Sequence, residues 1–219
     1  LDAERFDVML AVMPSSLTDP QMDNLVNYVK TGKPALIFDD PFPMFQGSQF
    51  GVSSAPRQPK PRPGGGGMMG MMGGGGQQPV PKADGGRATR LLDALGIHWE
   101  YDRVVFDYNS PHPEFEDRFT PEWVFVTQSE GSESFATEPL TRGLQEVVMI
   151  YGGSVSKNSG EAFSFEPLIT TTPNSGILRW EEFVNEGGIN FFTMQPAAQP
   201  RQDPLRIGDL SRHVMAARV

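Results

Sequence analysis

The stretch FDVMLAVMPSSLTDPQMDNLVNYVKTGKPALIFDDPF, Phe6–Phe42, decides how the rest of the chain is read. Phe6–Met13 is a nearly continuous apolar run of strand length, which predicts a strand covered on both faces. Pro14-Ser15-Ser16 stops it. Thr18 and Gln21 have the T-x-x-Q spacing of a capping box, in which each side chain satisfies a backbone N–H the helix leaves unpaired, and Leu17 and Met22 occupy hydrophobic-staple positions. Met22, Leu25, Val26 and Val29 repeat at i, i+3, i+4, i+7 and form one apolar helix face. Lys30 suits the negative end of that helix, and Gly32 is the residue that ends it in a left-handed conformation. Pro34 cannot continue a helix, so Ala35–Phe38 reads as a second short strand, ending at Asp39-Asp40-Pro41. Strand, helix, strand in this order implies a right-handed βαβ unit in a parallel sheet.

Outside this unit, composition sets the limits. A chain of 219 residues is long enough to bury a sizeable core, and the whole reads as one α/β domain, 1–219, carrying an elaboration. The formal net charge of −9 and a pI near 4.8 argue against binding to a phosphate backbone or to anionic lipid, both of which need clustered Lys and Arg. There is no cysteine, which excludes disulfides, thiolate metal sites and cysteine nucleophiles. No apolar run approaches the roughly 20 residues of a membrane helix. Leu1 starts in mid-pattern and Val214–Val219 reads as the start of a strand, so the expectation is a soluble piece of something longer.

Between Phe42 and Asp84 the pattern collapses. Residues 64–76 read GGGGMMGMMGGGG between RQPKPRP and QQPVPK. Gly and Pro at this density bury too little apolar surface to offset chain entropy, so a flexible insertion is expected at about 46–83, open to proteolysis within 57–81. The methionines leave two sharper alternatives open, a copper(I) site built on thioethers and a promiscuous contact loop. Regular pattern returns with a helix face at Ala88, Leu91, Leu92 and Leu95, stopped by Gly96. Strands are expected at Ile97–Trp99, Val104–Phe106, Trp123–Thr127, Val147–Tyr151, Glu166–Thr172 and Ile189–Met194. The second half is thus strand-rich, as β elements appended to an α/β core.

Ligands of parallel sheets gather at the carboxyl ends of the strands. Here those ends carry Ser15 and Ser16 after the first strand and Asp39 and Asp40 after the second. Two serines ahead of a helix suit an anion, and two carboxylates suit a divalent cation. The plainer reading is that Asp-Pro opens a turn and that adjacent acids on extended backbone point apart. His112 with Glu114, Glu116 and Asp117 resembles a ligand cluster, but the prolines around it make a loop without enforced geometry. His98 and His213 are isolated, and the histidine spacings match no zinc signature. The turn M-P-S-S-L lacks the glycines of a serine-hydrolase elbow, and Gly152-Gly153-Ser154 is neither a dinucleotide fingerprint nor a P-loop. Trp99, Trp123 and Trp180 are candidates for carbohydrate stacking, against the plainer expectation that they pack in the core.

Taken in order, these segments resemble a family: a strand ending in proline, a helix with "L…YV..G", a strand ending D-P-F, then "LLDALGIHWEYDRVVFD", "EPLTRGL" and "FEPLITTTPNSG…RW". The order is similar to that of the extracytoplasmic auxiliary component of gliding-motility-type ABC transport systems, across nearly the whole chain except the Gly/Met insertion. Glu138 stands where the family more often has histidine or aspartate. The resemblance implies a flavodoxin-like fold of the class I glutamine-amidotransferase-like type, a parallel sheet flanked by helices. It also implies ABC permease and ATPase subunits as partners, a periplasmic location, and membrane anchoring through segments outside this chain. It supplies no catalytic residue, and the superfamily's cysteine nucleophile has no counterpart here. The expectation is a non-enzymatic domain that binds a partner or a small-molecule or glycan ligand, without cofactor. The rival is a metal-assisted hydrolase using Asp39, Asp40 or the His112 loop.

Overall fold

The computed structural model describes residues 5–43, 81–110, 114, 118–128, 133–160, 163–190, 195–207 and 210–219, with backbone alone for 186–190 and 195–198. Most of the Gly/Met-rich insertion, His112, Glu116 and Asp117 lie outside the described residues. The chain divides into two compact units, Leu1–Leu95 and Gly96–Val219.

The first unit is built as the opening stretch requires. Strand β1 (Met9–Val12) runs parallel to β2 (Ala35–Phe38), with Met9 opposite Ala35 and Val12 opposite Phe38. Helix α1 (Asp19–Lys30) connects them. The Thr18 N–H and hydroxyl both donate to Gln21 Oε1 at 3.1 Å, and the first helical bond runs from Met22 N–H to the Thr18 carbonyl. Gly32 closes the helix at φ +76°, its N–H donating to the Val29 carbonyl. Helix α2 (Thr89–Leu95) follows a 3-10 turn at Ala83–Gly86. Met22, Leu25 and Val26 pack with Ala83, Ala88 and Leu91 into one core, flanked by Leu17, Val29 and the inward residues Met9, Ala11 and Ile37. Arg90 ties α2 to the start of α1 through Asp19 and Asp23, each at 2.7 Å, and grips Asp84 at 2.9 Å.

One expectation about this pair is corrected. Only one face of β1 and β2 is covered; Val8, Leu10, Val12, Leu36 and Phe38, which alternate with the inward residues, are each more than half exposed. A continuous apolar run records that both faces suit an apolar neighbour; it does not supply the second neighbour.

The second unit corrects the expectation of a flavodoxin-like parallel sheet. Its strands are β3 (Ile97–Trp99), β4 (Arg103–Asp107), β5 (Trp123–Thr127), β6 (Glu146–Ile150), β7 (Val155–Lys157), β8 (Glu166–Thr170), β9 (Ser175–Arg179), β10 (Val184–Asn190), β11 (Gln195–Pro200) and β12 (Val214–Arg218), with a one-turn helix α3 at Trp180–Phe183. They pair antiparallel as β3–β7, β4–β9, β5–β6, β8–β12 and β10–β11. The only parallel pair among the described residues is β1–β2. A parallel neighbour needs a crossover connection, usually helical; of the five antiparallel pairs, β5–β6 and β10–β11 join consecutive strands and the other three join strands far apart in sequence. After Gly96 the described helix content is one turn. Val105, Val124, Val126 and Ile169 form the core, with Val147, Met149, Ile177 and Met215 packed on it. Gly176 lies opposite Phe106, and a Cβ there would stand 2.6 Å from the ring, so this ladder position accepts no side chain.

Candidate functional site

The carboxyl ends of β1 and β2 do bring the four sequence candidates together. Met13, the residue after β1, adopts φ +54°, a left-handed conformation that costs a non-glycine residue roughly 1 kcal/mol. It is held there because its N–H donates to the Phe38 carbonyl at 2.7 Å while its own carbonyl accepts the Ser16 N–H and, at 2.7 Å, the Ser16 hydroxyl. The chain therefore leaves the sheet abruptly and coils through Pro14–Ser16 as a 3-10 turn, with Ser15 and Ser16 buried.

Asp39 reaches across to this turn. Its carboxylate accepts the Ser15 N–H at 2.8 Å, the Ser15 hydroxyl at 2.6 Å and the Asp40 N–H at 3.0 Å. Asp40 accepts the Phe42 N–H at 2.8 Å, as Asp-Pro turns do. The two acids thus face different stretches of backbone. Loss of water around the carboxyl raises the Asp39 pKa to about 6, against the pull of the Ser15 bonds, the Asp40 N–H and the Lys82 charge. Desolvation raises Asp40 further, to about 7; the Phe42 N–H opposes it and the neighbouring Asp39 charge adds to it. Lys82, at the far root of the insertion, is itself buried and brings a cation to Asp39.

Chemically, this arrangement closes a turn and holds two protonatable carboxyls near neutrality. The Ser15 hydroxyl donates to Asp39, which has the form of an activated hydroxyl, but Ser15 is buried, Asp39 is half-buried, and the same carboxylate also takes the Ser15 N–H. Among the described residues no group of three or more His, Asp or Glu is placed to hold a metal ion, so the acid pair has no third side-chain ligand of those kinds there. In the second unit His98 is exposed on β3, and the half-buried His213 donates its backbone N–H to Thr171 Oγ1 at 2.8 Å. Burial lowers the His213 pKa and the Asp107 charge opposes the shift. Of the tryptophans, Trp99 and Trp180 are buried, and the half-buried Trp123 stacks on Phe119 with ring centres 4.3 Å apart.

Two polar centres in the second unit escaped the sequence reading. Asp107, fully buried at the end of β4, accepts the Thr172 hydroxyl at 2.6 Å, the Thr172 N–H at 2.7 Å, the Asn109 N–H at 2.9 Å and the Ser110 hydroxyl at 3.0 Å. Beside it the Ser175 hydroxyl donates to the Ser211 carbonyl at 2.6 Å and lies 2.5 Å from Thr171 Oγ1. The motifs "VVFD" and "LITTTPNSG" thus meet as a structural latch. Second, Glu122 is wholly buried and bidentate with Arg206, at 2.7 and 3.2 Å. An aspartate ending an apolar strand and a Thr/Ser/Asn run are visible locally, but nothing in either segment announces the other across 65 positions.

Compared with known proteins, residues 1–219 match a family model described as an ABC-type uncharacterized transport system. No curated protein and no solved structure matches the chain.

Proposed function

Because the chain belongs, over residues 1–219, to this family of ABC-type transport system auxiliary proteins, we propose that it serves as the extracytoplasmic binding domain of a transporter of the gliding-motility class. In this reading it is not an enzyme; it associates with the permease and ATPase subunits of its own system at the periplasmic face. The observation that carries the non-enzymatic part is the closure of the strand-end site. The position where a doubly wound enzyme would present its reacting group holds Ser15, and its N–H and hydroxyl are both bound to Asp39. The family and the order of motifs carry the transporter part. Co-expression of the full-length protein with the permease and ATPase of its system, followed by extraction and sizing, tests the proposal. Co-elution at fixed stoichiometry is expected; separate elution of the auxiliary protein would overturn it.

A second reading keeps Ser15, Ser16, Asp39 and Asp40 as ligand-binding residues, with the two carboxylates meeting a divalent cation and the serines behind them. Their adjacency at the strand end favours it. It predicts that Mg2+, Ca2+ or Mn2+ raises the melting temperature and that the Asp39→Ala/Asp40→Ala variant loses the shift. No shift with any of the three removes this reading.

A further inference from the structure

We draw no further inference here: the strongest candidate, the exposed apolar face of the β1–β2 pair at Val8, Leu10, Val12, Leu36 and Phe38, carries nothing because nothing in the structure shows what covers it.

Discussion

Asp39 and Asp40 are neighbours in sequence that serve different pieces of backbone, the first the turn after β1 and the second the N–H of Phe42. Both carboxyls bind their protons more tightly in the fold than in the unfolded chain, so the sign of their pH effect is opposite to that of a salt-bridged acid. Their stabilisation is complete below the ordinary carboxylate pKa of about 4 and is lost as pH rises through about 6 for Asp39 and about 7 for Asp40. Asp40→Asn keeps a side-chain oxygen for Phe42 and cannot ionise. It is expected to flatten the decline of melting temperature between pH 5 and 8 and to gain about 1–2 kcal/mol over the unaltered chain at pH 8, below the full value of the shift because Asp40 is part-exposed. Thermal melts across that range decide it; parallel curves for the two proteins would show that Asp40 ionises freely. Tyr28 offers a simpler case. It is buried on α1 and its hydroxyl is the one buried side-chain polar atom among the described residues with no hydrogen-bond partner. Tyr28→Phe removes an unsatisfied group and should stabilise the protein by about 1 kcal/mol; destabilisation in chemical denaturation would mean that the hydroxyl has a partner.

Individual elements were legible wherever the information is local. The capping pair Thr18 and Gln21, the stripe Met22, Leu25, Val26 and Val29, and the stop at Gly32 sit within one helix length, and α1 forms as they dictate. The same holds for β5, read as Trp123–Thr127 and found with those bounds. What escaped is set at a distance. The βαβ unit at the start suggested a parallel sheet with β elements appended to it, but the described strands after Gly96 pair antiparallel, three of the five pairs between strands far apart in sequence. β9 went unread because Ser175 and Gly176 hide its start; Gly176 is required only by the Phe106 ring opposite, on a strand some seventy positions earlier. The strand-end site was legible as a place, because βαβ topology fixes which residues lie at the strand ends. Its inward closure was not, because the Ser15–Asp39 bonds depend on Met13 leaving the sheet in a left-handed conformation, which no local residue preference announces. Glu122 looked like the end of a polar loop, and only its meeting with Arg206, 84 positions later, reveals a buried pair.

At the scale of the molecule, charge and apolar surface pull apart in a way that constrains how it meets a membrane system. Aliphatic side chains are exposed on the outer face of β1 and β2 and at Leu205 and Ile207, yet the chain as a whole is acidic. Adsorption to a bilayer draws on both buried apolar area and attraction between Lys/Arg and anionic headgroups, each basic residue near the surface contributing about 1 kcal/mol. With 27 acidic against 18 basic residues the electrostatic part is repulsive here. At physiological salt that repulsion reaches only about 8 Å, so it acts at the distance where exposed apolar side chains would have to enter the headgroups. Residues 1–219 are therefore expected not to float with vesicles containing a third anionic lipid at pH 7.5, while repulsion fades as pH approaches the pI near 4.8. Flotation at pH 7.5 that persists in high salt would show that the apolar surfaces insert into lipid by themselves.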